Sequence, residues 1–79
     1  MWNQRESPPR IEKRFEFEEY QKISIFLEKI NKLCKEKNIY PNISFGKNFV
    51  GITIFLDSEK SSQIVKDFSN QINSFYKKI

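Results

Sequence analysis

Two regular spacings of apolar residues divide the chain into strands and helices. Between Arg10 and Phe17, apolar and charged residues alternate, which predicts a half-buried strand with a charged outer face. Apolar residues then recur every three or four positions from about Glu18 to Lys37, which predicts an amphipathic helix with a left-handed stop at Asn38. A second stripe of this kind predicts a final helix from about Glu59 or Ser61 to Lys78.

A hairpin separates the two helices. Asn42 to Phe45 is predicted as a short strand, Gly46-Lys47-Asn48 as the turn, and Phe49 to Leu56 as a longer strand. The longer strand has aliphatic residues on one face and two phenylalanines, Phe49 and Phe55, on the other, so we expect another subunit to cover part of that second face. The order strand, helix, strand, strand, helix predicts an α+β fold, a small antiparallel sheet with both helices packed on one face.

The N-terminal residues follow neither spacing. Residues 1–9 are polar and include Ser7-Pro8-Pro9, and the two prolines favour an extended backbone. Two roles are open for Trp2: it joins Arg5, Arg10 and Arg14 in an aromatic and arginine binding surface, or it attaches the segment to the domain. We therefore predict an extended arm over residues 1–9 and a single domain over residues 10–79.

Composition excludes several classes of function. The 79 residues include no His and one Cys, Cys34, which excludes a His/Cys zinc site, a Ser-His or Cys-His nucleophile pair and an internal disulfide. No apolar run approaches the roughly 20 residues that span a bilayer, so we expect no membrane partner and a cytoplasmic location. The net charge is +4, but charges of both signs alternate, so nucleic acid is not an expected partner either.

Few side chains remain for acid–base chemistry. Glu12 and Glu16 belong to the solvated face of the first strand, and Cys34 lies on the apolar stripe of the first helix. Asp57 follows a strand end, where functional residues often collect, but it also suits a turn or a helix cap. We therefore predict no catalytic residue, no metal and no cofactor.

The stretch from Lys13 to Asp57 resembles the pterin-4a-carbinolamine dehydratases. In that family an F-x-F strand precedes a helix, a His-His-Pro turn, a V-x-I-x-L strand and a Thr-His pair. The resemblance rests on Phe15 and Phe17 for the first motif, Pro41 for the turn, and Val50, Ile52 and Ile54 for the later strand. It implies the same fold as the apolar spacing predicts.

The histidines of the family are absent. Their positions fall on Ile39, Tyr40 and Asp57. Removal of water from a carbinolamine needs a proton acceptor and a proton donor, and isoleucine supplies neither. Tyr40 is able to donate, but a phenol with a pKa near 10 is a poor base at neutral pH.

The N-terminal arm and the run from Tyr40 to Phe55 resemble a branch of the family that is associated with α-carboxysomes and regarded as RuBisCO assembly factors. The resemblance implies a noncatalytic homodimer that binds the RuBisCO large subunit, in the cytoplasm or with carboxysomes. The rival functions are a dehydratase with residual or altered activity and a dimerisation cofactor for another protein. The expected partner-binding residues are Arg10, Arg14, Tyr40, Asn42, Ser44, Phe45, Lys47 and Asn48.

Overall fold

The structure, a computed structural model, describes residues 2–56 and 62–79. In chain order its elements are β1 Asn3–Glu6, β2 Pro9–Glu16, α1 Tyr20–Lys37, β3 Asn42–Phe45, β4 Phe49–Phe55 and α2 Ser62–Lys78. The strands form one antiparallel sheet in the order β1-β2-β4-β3. The predicted α+β class is confirmed. Asp57 and the alternative helix starts at Glu59 and Ser61 lie outside the described residues.

One face of the sheet packs against both helices. The register sets Phe15 of β2 beside Val50 of β4, and both are at most 1% exposed. They share one hydrophobic core with Phe26 of α1 and Phe68 of α2. Alternate residues point away from this core. We call that side the open face; its residues are Asn3 and Arg5 of β1, Arg10, Glu12, Arg14 and Glu16 of β2, Asn42 and Ser44 of β3, and Phe49, Gly51, Thr53 and Phe55 of β4.

The N-terminal segment is part of the sheet, which corrects its prediction as a separate arm. It is extended, as expected, but β1 pairs with β2 along four residues. Trp2 holds it in place: its indole Nε1 donates to the Asn73 Oδ1 at 3.1 Å, and its ring meets Phe15 edge-on with centroids 6.0 Å apart. Of the two roles considered for Trp2, the structure shows the attachment of the segment to the domain.

Helix α1 begins at Tyr20, two residues later than predicted. Glu19 is its N-cap residue and has an extended backbone, so Glu18 and Glu19 precede the first turn. The predicted stop is confirmed, because Asn38 is left-handed with φ 58° and its N–H donates to the Cys34 carbonyl. Neither α1 nor α2, the helices of the described ranges, is long and apolar enough to cross a membrane.

Candidate interaction surface

Of the three positions that the resemblance assigns to the dehydratase histidines, Ile39 and Tyr40 lie within the described residues, and their exposure differs. Ile39 is 4% exposed and belongs to the hydrophobic core, and its backbone N–H donates to the Cys34 carbonyl at 3.2 Å. Tyr40, the next residue, is 70% exposed. An aliphatic side chain in the core and a phenol in solvent cannot act together on one substrate atom.

One end of the open face combines arginine with an exposed aromatic ring. Arg10 of β2 lies directly opposite Phe55 of β4, which is 44% exposed. The Arg10 Nη1 also donates to the Pro8 carbonyl at 2.9 Å, and its Nε lies 3.6 Å from a Glu12 oxygen. Arg10 therefore supports the turn between β1 and β2 as well as contributing to the surface.

Glu12 lies at the centre of an arginine pair. Its Oε1 accepts from the Arg5 Nε at 2.9 Å, and its Oε2 faces Arg10. The hydrogen bond from Arg5 is the largest influence and lowers the pKa of Glu12. Desolvation opposes it, and the charges of both arginines lower the pKa further. Two guanidinium groups thus neutralise one carboxylate and leave a positive charge on this part of the open face.

Arg14 is held in place from two sides. Its guanidinium lies over the Phe49 ring, 4.1 Å from the centroid, and its Nε donates to the Glu16 Oε1 at 2.8 Å. The Arg14 side chain is still 59% exposed. Such a preordered arginine loses little conformational freedom when a partner binds it.

The structure brings together only part of the predicted partner-binding set. Arg10, Arg14, Asn42 and Ser44 share the open face. Phe45 does not, because it pairs with the buried Val50 and so lies on the helix side, where the sheet edge leaves it 50% exposed. The set is completed by Tyr40, which lies two residues before β3, and by Lys47 and Asn48, which form the turn between β3 and β4.

Two positions that the predicted set omits lie beside its members. Phe55 borders Arg10, and Gly51 lies between Arg14 on β2 and Ser44 on β3. The missing side chain at Gly51 leaves a shallow hollow of about 230 Å³. The alternation along β4 already placed both residues on the second face of the sheet, so the signal was present in the sequence.

Other depressions in the described part of the chain lie away from Gly51. One of about 530 Å³ lies between Glu18, Lys22 and Tyr76, where the Tyr76 hydroxyl donates to the Glu16 carbonyl at 2.6 Å. Within the described residues, no group of three or more His, Cys, Asp or Glu side chains is arranged to hold a metal ion. The open face is therefore the best candidate for function.

Neither a protein-family model nor a curated protein matches the sequence. Solved structures do match it. One is a pterin dehydratase-like protein identified as a RuBisCO assembly factor in the α-carboxysome; it is 28% identical, has a TM-score of 0.84, and the match covers 95% of this chain and 88% of that one. Another is a transcriptional coactivator/pterin dehydratase from Brucella melitensis, 16% identical, with a TM-score of 0.84 over 95% of this chain and 81% of that one. At 16% identity the second likeness shows the fold alone.

Proposed function

Because this chain belongs to the pterin dehydratase-like family, we propose that it is a noncatalytic member that assists RuBisCO assembly by binding the large subunit. The observation that carries the proposal is its similarity, over almost the whole chain, to a RuBisCO assembly factor of the α-carboxysome. By this proposal the protein works in the cytoplasm of a carboxysome-containing bacterium and converts no substrate.

The state of the former catalytic positions supports binding without turnover. The chain has no imidazole, and Ile39 is packed into the core. The phenol of Tyr40 has no basic partner at Ile39, because an aliphatic side chain accepts no proton. A large aromatic that is 70% exposed is, however, a typical anchor of a protein interface.

The composition of the open face also supports a protein partner. Arginine and aromatic residues dominate binding energy in interfaces, and this face offers Arg14 stacked on Phe49 and Arg10 beside Phe55. We propose that these residues, with Tyr40, Asn42 and Ser44, cover a surface of the large subunit. Displacement by the next subunit then releases the protein during assembly.

We also propose a homodimer, because β3 is an edge strand that has no neighbour beyond it among the described residues. Gly46 donates to the Phe49 carbonyl, so the alternation of an antiparallel ladder directs the backbone groups of Ile43 and Phe45 away from β4. Both side chains are exposed apolar groups, at 38% and 50%. Antiparallel pairing of two copies about Ser44 sets Ile43 of one copy opposite Phe45 of the other and joins the two open faces.

Phe49 does not contribute an open apolar surface to the proposed dimer. The sequence suggested that a second subunit covers the second face of β4, but the Arg14 guanidinium already covers the Phe49 ring within one chain. Phe55 remains 44% exposed and is available to the large subunit.

Co-expression with the RuBisCO subunits tests the proposed function. The wild-type protein should raise the yield of assembled RuBisCO, measured as holoenzyme on native gels, and the Tyr40→Ala and Arg14→Glu variants should lower that gain. We prefer Arg14 to Arg10, because Arg10 also holds the β1–β2 turn. Matched controls are Tyr20→Ala, which removes a tyrosine that is 52% exposed at the start of α1, and Lys66→Glu on α2. Equal yields with and without the wild-type protein would refute the proposal.

A further inference from the structure

Gly51 lies in the middle of a strand although the backbone there does not require glycine. Its φ is not in the left-handed region, so other residues are able to adopt the same conformation. A Cβ at this position meets the Ser44 Oγ at 3.1 Å, and that exposed hydroxyl is able to rotate away. Glycine weakens a strand interior and is often found where a ligand or another backbone approaches closely.

The hollow above Gly51 is surrounded by hydrogen-bonding groups. Arg14, Ser44 and Thr53 lie on three sides of its floor, and Glu12 lies beside Thr53. The bridge to Glu16 uses the Nε of Arg14, and the guanidinium carries four further N–H donors on its two Nη atoms. The two hydroxyl groups are also able to donate.

The charges around the hollow favour an anion. The open face carries three arginines, Arg5, Arg10 and Arg14, against the two carboxylates of Glu12 and Glu16. Among the described residues, Glu12 is the only acidic group at the rim of the hollow, and each of its oxygens already faces a guanidinium. A second carboxylate entering beside Arg14 is therefore attracted rather than repelled by the combined charges.

We propose that the partner inserts an Asp or Glu side chain into the hollow above Gly51, where its carboxylate accepts hydrogen bonds from Arg14, Ser44 and Thr53. The inference rests on the proposed function for the identity of the partner, but the hollow and its charge preference are properties of this chain. A volume of about 230 Å³ accommodates one such side chain. Gly51 is then a specificity residue, because the side chain of any larger residue occupies part of the space.

A pair of blocked peptides tests the charge preference without RuBisCO. Titration of the ¹⁵N-labelled full chain with Ac-Gly-Glu-Gly-amide should shift the amide signals of Gly51, Ser44 and Thr53 in a saturable way. Ac-Gly-Gln-Gly-amide, which lacks the charge, should give much smaller shifts. Equal shifts with both peptides, or no saturable shift at these three residues with either, overturn the proposal.

A filled hollow tests its use by the partner. Gly51→Val should keep or raise the melting temperature, because valine favours a strand. It should weaken capture of the RuBisCO large subunit by about tenfold or more, the effect of losing a central anchor. Gly51→Ala, which fills less of the space, should give a smaller loss, and Lys66→Glu should give none.

The outcomes separate the two proposals. Full capture by a folded Gly51→Val variant overturns the role of the hollow and leaves the assembly function standing. Failure of the wild-type protein to capture the large subunit, with the peptide shifts present, removes RuBisCO as the partner and supports the carboxylate site. If Gly51→Val does not fold, the Arg14→Gln variant decides instead. Loss of its preference for the Glu peptide over the Gln peptide supports the carboxylate site, and retention of that preference contradicts it.

Discussion

Truncation to alanine should lower the stability of the protein strongly at Ile39 and hardly at all at Tyr40, although the resemblance to the dehydratases places both residues at histidine positions of that family. Ile39→Ala deletes three carbon atoms from a side chain that is 4% exposed. At about 0.8 kcal/mol for each buried carbon, the transfer effect alone is about 2.4 kcal/mol. The cavity that remains brings the expected loss into the range of about 2–5 kcal/mol.

Tyr40→Ala should change stability by no more than about 0.5 kcal/mol, because the side chain is 70% exposed and its removal opens no cavity. For a chain of this length, about 1 kcal/mol corresponds to a shift in melting temperature of about 4–8 °C. We therefore expect a loss of about 10 °C or more for Ile39→Ala and of less than about 4 °C for Tyr40→Ala.

Urea unfolding followed by circular dichroism measures both variants, with Tyr20→Ala as the control for removal of an exposed tyrosine. The reasoning is refuted if Tyr40→Ala costs as much as Ile39→Ala. Tyr40 would then fill a pocket left by the lost histidines instead of facing a partner, and it would no longer be a candidate anchor.

Four further predictions follow from the other contacts. Trp2→Phe keeps the ring contact with Phe15 but loses the hydrogen bond to Asn73. The free energy of unfolding should therefore fall by about 1 kcal/mol. An unchanged value would show that this hydrogen bond does not hold β1 in place. The arginines lower the pKa of Glu12 from its usual 4.5, so its contribution to stability should be present above pH 4.5 and be lost as the pH falls through the lowered pKa. The difference in unfolding free energy between the wild type and Glu12→Gln should therefore shrink on acidification. A difference that stays constant with pH contradicts this. Light scattering should give twice the 9.5 kDa mass of the chain. Ile43→Lys should shift the mass toward that of the monomer, whereas Ile25→Lys, at an isoleucine of similar exposure on α1, should leave it unchanged. A monomeric wild type counts against the dimer. A carbinolamine dehydration assay should give the uncatalysed rate, and saturable acceleration by the purified protein contradicts the noncatalytic assignment.

The helices and the central strands were predictable because their apolar spacing is strong and local. The alternation in β2 and β4 places Phe15 and Val50 in the core, and both are fully buried. β1 could not be predicted in this way, because all four of its residues are exposed and its position depends on Trp2 reaching a residue of α2. The start of α1 was missed because Glu18 and Glu19 suit a first turn by charge, whereas their backbone lies before the helix.

The candidate surface was predictable strand by strand but not as a whole. Alternation puts Asn42 and Ser44 on one face of β3 and Phe45 on the other, so Phe45 was separable from them by sequence alone. That Ser44 and Arg14 lie on opposite sides of Gly51 depends on the register of three strands. The turn of the hairpin fixes the register of β3 against β4. The register of β2 against β4 joins strands that are separated by a helix, so no local turn fixes it.

Direct binding to unassembled RuBisCO large subunits tests the central proposal most directly. The purified protein and large subunits without small subunits are mixed and separated by size-exclusion chromatography with light scattering. We expect a joint peak that contains both proteins. Arg14→Glu should weaken this peak, Lys66→Glu should not, and added small subunits should release this protein from it. Separate elution of the wild-type protein and the large subunits at every concentration tested would contradict it.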